Sequence, residues 1–179
     1  MQTLSATLLV LLAASTAAQL PNCPPLWAGS GQYCYQFFKV GLPWKEANDF
    51  CSRFSSCADG SPATLAKLAS AQDDFRLESY LAPKGNPSPP NSWVGLGDPF
   101  GTGTITWPDG TTPQSNNYNN FDPQAGRNGN CVVKDTRTNR WTFAPCTQAN
   151  SFVCQMARGQ ARDQQPPNPG GPGGPPRPV

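Results

Sequence analysis

Seven cysteines, at Cys23, Cys34, Cys51, Cys57, Cys131, Cys146 and Cys154, frame one stretch of this chain. An apolar leader precedes them and a Pro/Gly-rich segment follows. The leader decides how they are read. Leu8 to Ala14 is a short apolar run, and Thr16-Ala17-Ala18 supplies small residues for cleavage before Gln19, the pattern of a secretory signal over residues 1–18. The run falls short of the roughly 20 residues that span a bilayer, so a membrane anchor is not expected. Export places the thiols in an oxidising compartment, where such spacings mean disulfides rather than metal thiolates. Connectivity stays open at this stage, because six or more cysteines permit many pairings.

Residues 19–157 have the size of one domain with one core. From residue 158 the composition changes: Gln164 to Pro169 leads into Gly170-Gly171-Pro172-Gly173-Gly174-Pro175-Pro176. Nothing there can be buried, so residues 158–179 read as a disordered, partly polyproline-like tail. Collagen is the rival reading, and it is not expected because glycine does not recur at every third position. The formal charge of +2 gives no case for nucleic acid and no strong steering field.

Pro43 to Phe54 reads as a helix, with Trp44, Ala47, Cys51 and Phe54 on one face. A second helix is expected over Ala71 to Leu81, with Ser70 as N-cap and Leu77, Tyr80 and Leu81 on its apolar face. Pro83, Gly85, Pro87, Pro89 and Pro90 stop it. Strands are expected at residues 33–38, 64–68, 92–96, 104–107, 131–134, 140–143 and 152–155. Early helices and late short strands make the class α+β. Between Trp107 and Cys131 runs a long polar stretch rich in Gly, Pro, Asn and Gln, and connections of that length are functional or disordered.

These residues together resemble the long-form C-type lectin-like domain. Cys23 and Cys34 flank a short hairpin ending in the aromatic run Tyr35 to Phe38. Cys51 follows Trp44-Lys45-Glu46-Ala47, and Trp93-Val94-Gly95-Leu96 matches the family's core strand. Cys131, Trp141, Cys146 and Cys154 close the domain in the family's order. The resemblance implies two helices, short antiparallel sheets and a long loop, with disulfides Cys23–Cys34, Cys51–Cys154 and Cys131–Cys146. Cys57 is left over: a buried free thiol, an intermolecular disulfide or a loose local pairing would each account for it. A narrower resemblance joins the Cys51 to Gly60 segment, with its extra cysteine, to sea-urchin spicule matrix proteins. Those too combine a leader, one such domain and Pro/Gly-rich sequence.

Sugar-binding members of this family carry Glu-Pro-Asn or Gln-Pro-Asp in the long loop and Asn-Asp after a later Trp. Calcium needs six to eight oxygen ligands, which those side chains help to supply. Here the loop reads Phe121-Asp122-Pro123-Gln124-Ala125-Gly126-Arg127-Asn128-Gly129-Asn130. No triplet is intact. Gly129 stands where an acid is expected two places before the cysteine, and Thr142-Phe143 follow Trp141. No cofactor is therefore expected; a remnant of Asp122, Gln124 and Asn130 would bind calcium weakly. Asp98 and Asp109 belong to turn sequences. The candidate ligand-facing or mineral-facing residues are Gln114, Asn116, Asn117, Tyr118, Asn119, Asn120, Asp122, Gln124, Arg127, Asn128 and Asn130. Their amides can engage bound water, carbonate oxygens or polysaccharide without a metal. Arg127, Lys134, Arg137 and Arg140 add cations that would face carbonate, acidic partners or solvent.

The chain has no histidine, which removes His-based triads and His-ligated zinc. No carboxylate pair suggests glycoside hydrolysis, and Cys57 lacks an activating neighbour. A non-enzymatic binder is expected: a secreted extracellular matrix protein of a calcified tissue, contacting calcium carbonate or other matrix proteins. The alternative is a soluble carbohydrate-binding lectin of innate defence. A fold of this kind also serves ice- and toxin-type ligand binders, and fold alone does not choose.

Overall fold

The computed structural model describes residues 23–82 and 91–159. The signal expected over 1–18, the helix-stopping run at 83–90 and residues 160–179 of the tail expected over 158–179 lie outside these residues.

The elements follow the α+β reading. They are β1 (Ala28–Ser30), β2 (Tyr33–Leu42), α1 (Trp44–Cys51), β3 (Thr64–Leu65), α2 (Ala71–Leu81), β4 (Ser92–Gly97), a 3-10 turn (Pro113–Asn116), β5 (Cys131–Lys134), β6 (Trp141–Ala144) and β7 (Asn150–Ala157). The seven strands form one sheet in the order β1-β2-β7-β4-β5-β6, with β3 also on β7. The last strand thus lies beside the second, antiparallel to it, and runs parallel to β4 through Ser92↔Ser151 and Trp93↔Phe152.

β4 shows why the sheet is buried on both sides. Successive strand side chains point to opposite faces, and both faces are covered. Trp93 packs with Trp44, Ala47, Cys51 and Phe152 beside α1. Val94 and Leu96 pack with Leu77, Leu81, Trp107 and Trp141 beside α2. Each buried Val, Leu or Phe side chain stabilises the fold by about 1.5–3 kcal/mol. The indole N–H groups of Trp93 and Trp44 donate to Leu42 O at 2.8 Å and Val94 O at 2.9 Å, so those large rings are buried without orphaned donors. Gly95 lies between them because nothing larger fits: a Cβ there would stand 2.8 Å from both Leu65 O and the Pro108 ring.

Disulfides join Cys23 to Cys34, Cys51 to Cys154 and Cys131 to Cys146, the pairing that the resemblance implies. The first closes the β1–β2 hairpin, the second ties α1 to β7, and the third holds β5 to the chain just beyond β6. Cys57 is a free thiol and exposed, which corrects the buried-thiol reading. The buried position of its turn goes to Ser56, whose hydroxyl donates to Ala157 O at 2.9 Å and accepts from Ala58 N–H at 3.0 Å.

Several boundaries differ from expectation. Pro43 caps α1 from outside, and the helix ends at Cys51 rather than Phe54 because Arg53 and Phe54 N–H turn back to Phe50 and Cys51 carbonyls, three residues away. α2 spans Ala71–Leu81 as read, with Ser70 accepting from Asp73 N–H at 3.1 Å. Residues 104–107 contribute only the bridge Thr106↔Gly97 instead of a strand. Ala66 N–H still donates to Val153 O of β7 at 2.9 Å, and only at Lys67 does the backbone leave the ladder, its N–H bonding the Gln155 side chain at 2.9 Å.

Candidate functional site

The long loop leaves the sheet at Gly97 and returns at Cys131. Its two ends are joined, because Asp98 N–H donates to Asn130 O at 2.8 Å. The Asp98 carboxylate closes a turn, accepting from Thr102 N–H at 2.8 Å, Thr102 Oγ1 at 3.1 Å and Gly103 N–H at 2.7 Å. The Thr102 amide holds its carboxyl below the ordinary range; burial opposes this, and the Gly103 amide adds to it. Asp109 closes a second turn through Thr111 N–H at 3.1 Å and Thr111 Oγ1 at 2.7 Å, and pairs with Lys67 Nζ at 2.5 Å. Both acids serve turns, as their sequence contexts indicate.

The middle of the loop is organised by a buried charge. Asp74 of α2 and Lys134 of β5 are 2 % and 1 % exposed and form an ion pair. The second Asp74 oxygen accepts from Tyr118 Oη at 2.8 Å and Asn120 Nδ2 at 2.6 Å. Asn120 also donates to Asn139 O at 2.7 Å and accepts from Arg140 Nη1 at 2.9 Å, so both ends of its amide are used. Burial raises the Tyr118 phenol pKa, and its bond to the Asp74 carboxylate adds to the rise. Lys134 is therefore not one of the surface cations expected from sequence: it is a core counter-charge. Tyr118 and Asn120 turn inward to the same centre.

Backbone bonds from Trp141 N–H to Asn120 O and from Asp122 N–H to Trp141 O, each 2.9 Å, lay this part of the loop along β6. Tyr118, Phe121 and Trp107 meet the buried Trp141 ring edge-on, at centroid distances of 5.4, 5.5 and 5.8 Å. Such pairs add about 0.5–1.5 kcal/mol each beyond burial. Gln114, Asn117, Asn119, Gln124, Arg127, Asn128 and Asn130 are exposed on the loop, and Asp122 is half-buried. Asn119 and Asp122 partly serve the chain itself, accepting from Phe121 N–H at 2.8 Å and Gln124 N–H at 2.9 Å. Asn116 ends the 3-10 turn.

The donor set here does not fit a calcium cage. Among the described residues, no three of His, Cys, Asp or Glu are grouped to hold a metal ion, and Asp122 alone supplies a carboxylate to the 120–130 face. Gly129 has φ +115°, and a Cβ on it would lie 2.2 Å from the Ala144 carbonyl carbon. An acid cannot stand at that position in this backbone. Phe143 is stacked on Phe121, centroids 4.7 Å apart, with the Arg127 guanidinium 5.0 Å from its own centroid. Gly129→Glu is accordingly expected to lower stability by about 2–3 kcal/mol through positive-φ strain and overpacking, without calcium raising the melting temperature; thermal unfolding with and without calcium checks both. A separate cleft of about 230 Å³, lined by Tyr33, Thr64, Lys67, Asp109 and Gln155 among others, contains none of the sequence-predicted site residues.

A domain with this sheet, these three disulfides and a long loop on β4–β5 is a C-type lectin-like fold. The family model described as the lectin C-type domain matches residues 40–156, and the chain belongs to that family. It is 31% identical over 144 residues to ovocleidin-17 of Gallus gallus, covering 76% of this chain and 97% of that protein. Ovocleidin-17 is described as a major protein of the eggshell calcified layer. Its crystal structure superposes with TM-score 0.62 at 30% identity, over 75% of this chain and 99% of that one. The alpha-N-acetylgalactosamine-specific lectin of Patiria pectinifera is 27% identical over 159 residues, covering 83% and 93%. Human lithostathine shares the fold, with TM-score 0.63 at 24% identity over 76% of this chain and 100% of that one.

Proposed function

We propose that this is a secreted extracellular matrix protein of a calcified tissue, akin to sea-urchin spicule matrix proteins, that binds mineral surface or matrix partners without a calcium-dependent sugar site. One observation carries the reading: the positions where sugar-binding relatives place carboxylates hold a glycine pressed onto backbone and a phenylalanine within an aromatic–guanidinium stack. An internal ammonium, Lys134, on Asp74 holds the middle of the loop, which supports a loop shape set without a metal. Similarity to a protein of an eggshell calcified layer supports the mineral side of the reading. The role is binding rather than catalysis.

Two measurements test it. Calorimetric titration of the disulfide-intact protein is expected to show no calcium binding up to millimolar concentration, and the melting temperature should stay constant. Calcite is expected to take up the protein at micromolar concentration, with altered crystal growth. Failure on calcite would remove the mineral assignment. The second reading, a soluble glycan-binding lectin, is favoured by the likeness to the Patiria lectin. Glycan-array binding abolished by EDTA would establish it in place of the first.

A further inference from the structure

Arg127 occupies a built position. Its guanidinium lies over Phe143, which stacks on Phe121, which meets buried Trp141 edge-on. The backbone around it is fixed as well: Asn128 N–H bonds Gly126 O at 3.0 Å, Gly129 presses against Ala144–Pro145, and Cys131 is disulfide-bonded. Arg127 is nevertheless exposed. Among the described residues it has the ring contact but no hydrogen-bond acceptor and no carboxylate partner. A second exposed guanidinium, Arg140, is tied through Nη1 to Asn120, the neighbour of Phe121. Asp122 is the acid of this stretch, and one of its oxygens is engaged by Gln124 N–H.

We infer that Arg127, with Arg140 flanking the same 120–122 segment, is a metal-free oxyanion site. Its ligand class is a compact oxyanion, either carbonate at a mineral face or a sulfate ester on a polysaccharide. The planar guanidinium presents parallel N–H donors that match two oxygens of one such group. Holding it over Phe143 removes part of the ordering cost that a free arginine would meet on binding. The face thus reverses the sign of a calcium site, offering a fixed cation to an anion where relatives offer carboxylates to a cation. The inference rests on the metal-free reading above and names the ligand of the same face.

The test compares the secreted protein with Arg127→Ala/Arg140→Ala, Arg127→Lys and Arg53→Ala, using calcite powder and heparin as probes, in EDTA for heparin and at two salt concentrations. Arg53 is an exposed arginine over a different ring, Phe50, at 5.5 Å, and controls for general charge. The double substitution is expected to weaken binding roughly tenfold, the size of a lost charge-assisted contact. Arg127→Lys should restore only part, Arg53→Ala should change little, and added salt should shrink all differences. Loss on calcite alone identifies carbonate as the source, and loss on heparin alone identifies sulfate esters; either supports the site. Calcite binding that ignores both arginines, with heparin binding absent or equally unaffected by them, overturns this inference and leaves the mineral assignment standing. Arginine-dependent heparin binding by a protein that ignores calcite does the reverse. Binding to neither probe overturns the site.

Discussion

Lys134→Met is expected to destabilise the protein by about 3–5 kcal/mol, the cost of leaving a buried charge without its partner. The side chains are similar in length, so little packing is lost. What remains is the Asp74 carboxylate, 2 % exposed, with the Tyr118 hydroxyl and Asn120 amide as its partners among the described residues. Removing both charges as Asp74→Leu/Lys134→Met should recover most of the loss, because a hydrophobic replacement of a buried pair is often neutral or stabilising. Denaturant unfolding of the parent, the two single variants and the double variant gives the coupling directly. Additive losses would mean that the pair does not act as a unit. The single variant should also speed amide exchange at residues 118–122, since two of their side chains hang on Asp74.

That pair also shows where reading the chain alone runs out. Lys134 stands in a strand whose other members are Cys131, Val132 and Val133, and a lysine next to apolar residues is ordinarily solvated. Its partner lies sixty residues earlier, on a helix face whose acids read as ordinary first-turn charges. No local pattern links them. Local patterns did suffice for α2, where Ser70 and the Leu77/Leu81 face define both the start and the packing. They sufficed for β4 because its Trp-Val-Gly-Leu order matches a two-sided core and a close backbone approach at Gly95. β1 was legible only through the resemblance, as the first arm of the hairpin flanked by Cys23 and Cys34: its three residues, Ala-Gly-Ser, have no strand propensity of their own and are held by β2 and the Cys23–Cys34 bond.

The candidate site divides the same way. The missing calcium acids were visible as Gly129 and Phe143, but the reason they cannot simply be replaced was not. Gly129 meets the backbone of Ala144 and Pro145, contacts set by the Cys131–Cys146 bond and the β5–β6 pairing. Polar composition marked residues 114–130 as one hydrogen-bonding surface. Tertiary structure splits them into an inward set, Tyr118 and Asn120, and an outward set that includes Arg127. The stack that positions Arg127 joins Phe121 to Phe143 across the loop and β6, a juxtaposition that spacing along the chain does not reveal.

Removing the Cys51–Cys154 bond should cost about 4–5 kcal/mol and lower the melting temperature by roughly 15 °C. The bond closes 103 residues, against 11 for Cys23–Cys34 and 15 for Cys131–Cys146. In the chain-entropy model the difference in loop length alone makes it worth about 2 kcal/mol more than either. Both sulfurs are fully buried between α1 and the central strand β7, so their loss also opens space in the core. The experiment needs Cys51→Ala together with Cys154→Ala. A lone Cys154 would sit on β7, the strand whose end, at Ala157, is held by Ser56, the neighbour of the exposed thiol Cys57, and thiol–disulfide exchange could rebuild a cross-link there. A Cys57→Ser background excludes that route. Calorimetry of the three double-alanine variants then ranks the bonds. If removing Cys51–Cys154 costs no more than removing Cys131–Cys146, chain closure is not what this disulfide contributes. If the ranking holds, the ends of the domain are locked by a covalent bond at α1–β7 while the long loop is locked separately by Lys134 on Asp74. The exposed residues of the long loop can then be altered without loosening the fold beneath them.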